Sequence, residues 1–142
     1  MKWFGGILCI ALLSLLFTHC SSGGYGQETD PNHVLNFSDS TYPVIEITTP
    51  STDQEFKSGS AISITGKITD NSLYQGSISI KDEGTGNKVK EQVYEIHGLS
   101  SYNYSLTWTP SVTQITSYII TVAFEDHGFN ETTKSVRVKI NP

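Results

Sequence analysis

Cysteine is nearly missing from this chain. Its 142 residues hold two, Cys9 and Cys20. Cys9 lies inside an apolar leader that should be removed, which leaves Cys20 alone, and one thiol cannot close an internal disulfide. Basic charge is scarce too. Nine Lys and Arg stand against fourteen Asp and Glu, a net charge of −5; losing Lys2 with the leader makes it −6. A nucleic-acid surface needs a basic stripe, and here the charges are scattered as on an ordinary solvated surface. No apolar run reaches the roughly 20 residues of a membrane span; the longest is Phe4 to Phe17. Helical spacing is absent after it. Catalytic constellations are missing as well: no Gly-x-Ser-x-Gly elbow, no phosphate loop, and no metal-ligand spacing among His33, His97 and His127. The expectation is a protein that is not an enzyme and has no cofactor.

What is present begins at the N-terminus. Lys2 supplies a positive start and Phe4 to Phe17 the apolar core of a secretory signal. The run ends on Leu16, Phe17, Thr18 and His19 before Cys20, and "SSGGYG" follows. That arrangement resembles the lipobox of bacterial lipoproteins, in which the cysteine is acylated by diacylglycerol and becomes the first residue. The match departs from the usual pattern at two places: His19 is not small, and Phe17 stands where leucine is usual. The other reading of Cys20 is a free or intermolecularly paired thiol. The resemblance implies a signal peptide over 1–19, a lipid attachment (palmitate among the acyl chains) at Cys20, and the membrane as a partner. Ser21 after the cysteine implies the outer membrane, with the periplasmic or surface face left open. One buried chain holds a protein only reversibly; the two or three chains of lipoproteins hold it stably.

Residues 20–41 read as a flexible tether, rich in Ser, Gly, Asn and Asp. From Tyr42 to Pro142 the chain breaks into short segments with a period of two, one face apolar and one polar. Ile62, Ile64 and Ile68 alternate with Ser63, Thr65 and Lys67. Ile78 and Ile80, then Tyr102, Tyr104, Leu106 and Trp108, then Tyr118, Ile120, Val122 and Phe124, then Val136, Val138 and Ile140 repeat the scheme. "KVKEQVYEI" at 88–96 changes phase midway, as an edge strand or a bulge would. Turn residues separate the segments: "TTPSTDQ", "DNS", "EGTGN", "TPSV" and "DHGFN". The pattern predicts an all-β fold, an antiparallel Ig-like β-sandwich of seven or eight strands over 42–142.

The segment "PVIEITTPSTDQEFKSGSAISITGKITDN" resembles the opening of bacterial Ig-like modules, and "YIITVAFEDHGFNETTKSVRVKI" resembles their last hairpin. The whole is similar to a domain-of-unknown-function family of Ig-like lipoproteins from Bacteroidota. The resemblance implies a non-catalytic envelope lipoprotein that displays an adhesion, interaction or scaffolding module, with envelope proteins or glycans as partners. Tyr118 resembles the tyrosine corner of such sandwiches.

Three local features suggest sites. The loops after the second strand and before the last should meet at one end, bringing Asp70 and Asn71 near Asp126 and Asn130, with Glu125 close by. Such oxygen ligands suit calcium; the plainer reading is that the acids accept hydrogen bonds from loop amides. Tyr74, Tyr94 and Phe129 fall outside the inward pattern and could line a glycan-stacking platform, as in an accessory protein of polysaccharide uptake, or could pack at edges and loops. "DST" at 39–41 resembles the O-glycosylation signal of Bacteroidota, with Ser40 as the acceptor.

Overall fold

The computed structural model describes residues 35–142. The signal peptide, Cys20 and the first part of the tether lie outside the described residues. Six strands follow in chain order: β1 Val44–Thr49, β2 Gln54–Lys57, β3 Ile62–Asp82, β4 Lys88–Trp108, β5 Thr116–Asp126 and β6 Glu131–Asn141.

Strands β3 and β4 each run for 21 residues, about twice the usual upper length. Their pairing explains why. Residues 62–69 of β3 lie between β1 and residues 101–108 of β4, with Val44 opposite Thr69 and Thr69 opposite Ser101. Residues 73–82 lie between the first part of β4 and β5, with Gly76 opposite both Tyr94 and Phe124. The register breaks between Thr69 and Leu73. Both long strands therefore turn a corner from one sheet into the other. One sheet is β1, the start of β3 and the end of β4. The other is the start of β4, the end of β3, then β5, β6 and β2. Counted by segments there are eight strands around one apolar core, the expected Ig-like sandwich.

Two details differ from the sequence reading. "DNS" does not end a strand; it forms the corner at 70–72 inside β3. The expected all-antiparallel pairing also fails once, because β2 runs parallel to β6, Gln54 to Lys57 against Val138 to Asn141. The short loop 50–53 moves the chain to the edge of the second sheet without reversing it, so it meets β6 in the same direction. Residues 88–96 form an edge, as their broken phase implied. Val89 and Val93 are exposed, while Tyr94 is half-buried and Ile96 buried.

The core follows the alternation. Ile62, Ile64, Ile68, Leu73, Ile78, Ile80, Ile120, Val122, Phe124, Val138 and Ile140 are essentially sealed from solvent. Gly66 and Gly76 occupy inward positions where the pattern calls for an aliphatic side chain, and a cross-strand ring fills each gap. Tyr104 covers Gly66 and Phe124 covers Gly76; a Cβ at either glycine would sit well inside 3.0 Å of the ring. The two rings stack at 5.7 Å and 30°, joining the sheets. The Tyr104 hydroxyl donates to the Glu46 carbonyl at 2.7 Å, and burial pushes its phenol well above the ordinary range. A tyrosine-to-backbone tie was expected of Tyr118. It belongs to Tyr104, and to Tyr94, which donates to the Ser105 carbonyl at 2.7 Å. Tyr118 is buried with its ring edge-on to Trp108 at 4.9 Å.

Candidate functional site at the tether end

Three pieces of chain meet where the tether enters: residues 36–42, the corner 70–72, and the turn 126–130 between β5 and β6. The tether docks earlier than its composition implied. The Asn36 amide donates to the His127 carbonyl at 3.0 Å. Asn130 Nδ2 donates to the Asp39 carbonyl at 3.1 Å, and the Phe37 and Phe129 rings lie 5.7 Å apart. Among the described residues, contacts with the turn are made from Asn36 onward, within the 20–41 span expected to be a flexible tether, because "NFSD" offers an aromatic ring and polar groups that the turn can hold.

Asp126 organises the turn. It is fully buried. Its Oδ1 accepts from the Gly128 and Asn130 amides at 2.7 and 2.9 Å, and its Oδ2 accepts from Asn130 Nδ2 at 2.9 Å. Asp70 organises the corner, its Oδ1 accepting from the Ser72 amide at 2.9 Å. Its Oδ2 is buried and accepts no hydrogen bond among the described residues. Burial raises the Asp70 carboxyl above its usual value, the nearby Asp126 and Asp39 charges raise it further, and the Ser72 amide opposes them.

Carboxylate oxygens of Asp39, Asp70 and Asp126 lie within 4.8 Å of one another. The sequence reading brought Asp70, Asp126 and Asn130 together, as found. It missed Asp39, which was read only as part of the "DST" signal. The visible clue was its place just before the domain. Asn71 is exposed beside the corner. Glu125 turns aside to accept a hydrogen bond from Gln75, a cross-strand neighbour. Ser40 is exposed, while Asp39 Oδ1 accepts from the Thr41 amide at 2.8 Å.

Behind the acids lies an aromatic group. His127 is buried, and its Nδ1 stands 3.1 Å from both the hydroxyl and the carbonyl oxygen of Ser72. Tyr74 packs on His97 and His127 at 4.9 and 5.0 Å, and the two imidazoles lie 5.7 Å apart. The imidazole is sealed from solvent, and the neighbouring carboxylate, Asp126, accepts from the turn amides. The aromatics proposed for a glycan platform are scattered. Tyr74 belongs to this group, Tyr94 packs against Tyr102 and Phe124, and Phe129 stands with Phe37. Period two located all three off the inward face but could not say where the corners would carry them.

A two-layer sandwich with two strands crossing between its sheets is the architecture of immunoglobulin-like modules. The family model described as bacterial Ig domain matches residues 43–122, more than half of the chain. The chain belongs to that family. Among solved structures, an engineered protein is similar at a TM-score of 0.51 and 11% identity over 70% of this chain, which spans only 20% of that one. At that identity the likeness is one of fold alone. Weaker similarity is found to a superoxide reductase (neelaredoxin) from Ignicoccus hospitalis, with a TM-score of 0.47 and 10% identity over 71% of this chain and 81% of that one. A CARDB domain from Pyrococcus furiosus in complex with di-metal ions gives 0.39 and 13% over 72% and 96%. No curated protein sequence matches the chain.

Proposed function

We propose that this chain is a non-catalytic, lipid-anchored protein of the bacterial envelope, held by acyl chains on Cys20 and displaying its Ig-like domain for adhesion, scaffolding or accessory binding at the outer membrane. The observation that carries the reading is a sequence one: an apolar run of signal length ends at the sole remaining cysteine, and a polar tether leads from there into the Ig-like domain. The sealed His127 and the amide-bound Asp126 support a role without catalysis. The test is the intact mass of protein extracted from membranes, wild type against Cys20→Ala. A mass lacking residues 1–19 and carrying acyl chains, lost in the variant, is expected. A soluble, unacylated product cut elsewhere would overturn the reading. Scattered Tyr74, Tyr94 and Phe129 count against a glycan platform; stabilisation of the protein by oligosaccharides would reinstate it.

A calcium-dependent module is the second reading. It is favoured by the convergence of Asp39, Asp70 and Asp126 with one buried oxygen of Asp70 left without a donor. Calcium takes six to eight oxygens, and the Asp39 carbonyl and water would have to complete such a set. A calcium titration that raises the melting temperature of wild type but not of Asp39→Asn is the expected result; no rise in either refutes it. Asp39→Asn is the better probe than Asp126→Ala, since loss of Asp126 would break the turn with or without a metal.

A further inference from the structure

The end of the sandwich that receives the tether carries an uneven share of exposed apolar surface. Phe37 (75% exposed), Tyr42, Val44, Leu99 and Phe129 all lie there. Phe37 and Phe129 touch at the tip. Tyr42 and Val44 flank a shallow hollow bounded by Thr69, Asp70 and Ser100, and Leu99 follows the β4 corner. Two of these features run against local chemistry. Phe129 has φ +62°, a left-handed conformation that glycine or asparagine adopts more easily, and its ring still stands half in solvent. Phe37 sits in a polar stretch, "VLNFSDST", yet its ring is placed against Phe129 and left open.

We propose that this end is a lipid-contact surface, on which the domain rests against the bilayer that anchors it. The inference rests on the anchored-lipoprotein reading. It is argued from where the remaining chain leads. Fifteen residues, 21–35, separate Cys20 from Asn36, whose amide binds the His127 carbonyl. By composition they read as a Gly/Ser-rich linker, for which that length spans about 21 Å root-mean-square, about the length of a single β-strand. The tether enters at the aromatic end itself, so that end is the part of the domain held nearest the membrane. Aromatic side chains with a polar surround suit the headgroup region. The occupant is a zwitterionic bilayer rather than an anionic one, since Asp39, Asp70 and Asp126 lie at the same end and would repel anionic headgroups.

Trp108 supplies a built-in control. It pairs with Ile62 at the C-terminal end of β4, away from the tether end, about 23 Å along the strand from Ser101 at the corner. The experiment uses acylated mature protein in phosphatidylcholine vesicles containing lipid brominated on its acyl chains, with flotation measured in the same samples. Wild type reports Trp108 alone, and Phe37→Trp adds an indole at the tether end. The inference expects both proteins to float with vesicles, Trp108 to keep its emission, and the added indole to lose about half or more of its emission. A second variant, Phe37→Trp with Phe129→Ser and Val44→Ser, should lose most of that quenching while still floating. Flotation without quenching of the added indole overturns lipid contact and leaves the anchor standing. Equal quenching of both indoles also overturns it, because the domain would then lie on its side. Failure to float overturns the anchor and this inference together. Absent quenching with a concentration-dependent dimer would assign the surface to a second copy of the chain instead.

Discussion

Replacing Gly66 by alanine tests the core packing most sharply, because local and tertiary effects have opposite signs. In a strand interior glycine costs about 0.5–1 kcal/mol relative to alanine, so a reading confined to propensity expects Gly66→Ala to stabilise. The structure expects the reverse. A Cβ at position 66 would overlap the Glu46 carbonyl and the Tyr104 hydroxyl, and these two groups make the bond that ties β1 to the core. Overpacking a filled core costs about 1–3 kcal/mol. Losing a buried hydrogen bond and leaving its groups unpaired adds about 1–3 kcal/mol. After the propensity gain, the net loss is about 1–5 kcal/mol. For a domain of this size that lowers the melting temperature by about 5–30 °C. Urea unfolding of the mature chain, followed by Trp108 fluorescence, measures it. Tyr104→Phe alone should cost about 1–2 kcal/mol, and the double variant should cost less than the sum, because the hydroxyl that Gly66→Ala displaces is already gone. A Gly66→Ala protein as stable as wild type, or more so, would refute the reasoning.

Asp70→Asn should show a pH-dependent gain. The Asp70 carboxyl is raised above its ordinary 3.8 in the folded chain, so ionising it opposes folding. That penalty is absent below the unfolded value, grows as pH rises through the interval up to the folded value, and is constant above it. The variant should therefore match wild type near about pH 3 and exceed it at about pH 7 in the absence of divalent ions; urea midpoints at the two pH values check this, and a pH-independent difference would contradict it. Asp126→Ala should cost about 3–5 kcal/mol, since three donors of the 126–130 turn lose a buried acceptor at once, and amide exchange there should quicken before global unfolding. Arg137→Ala should change stability by less than about 1 kcal/mol despite its contacts with Glu83, Asp53 and Ser117, because the ion pairs are exposed; thermal denaturation checks it.

The sandwich was legible because its cause is local. The long inner strands repeat their burial every second residue, and Ile62, Ile64 and Ile68 announce the core face without a partner in view. What stayed hidden depends on partners distant in sequence. Nothing within "STDQEFK" shows that β2 crosses to β6 and pairs parallel, because that depends on a sheet edge some eighty residues away. Gly66 and Gly76 read as weak points in alternating strands, and only the rings of Tyr104 and Phe124 across the sheet turn them into packing requirements. The acidic end was half legible. Asp70 and Asp126 close turns, and turns at one end of a sandwich meet. Asp39 came from a stretch whose composition spoke for flexibility, and the groups that order it, His127 and Asn130, lie ninety residues on.

The tether end differs from the rest of the surface in the kind of interaction it leaves unfinished. Elsewhere, exposed charges have partners: Arg137 meets Asp53 and Glu83 in the loops beside it, Lys139 meets Glu55 on β2, and edge residues such as Lys88 and Glu91 pair with each other. At the tether end, three like charges converge without a described cation, and aromatic rings are held outward, one of them on a left-handed backbone. The acids and the rings share one loop: Asp126 fixes the turn that presents Phe129, and Asn130 binds both Asp126 and the Asp39 backbone. An ion held by the acids would therefore also stiffen the rings and the last residues of the tether. Calcium, if it binds, should strengthen lipid quenching of the indole in Phe37→Trp, and Asp39→Asn should abolish that increment while leaving flotation intact.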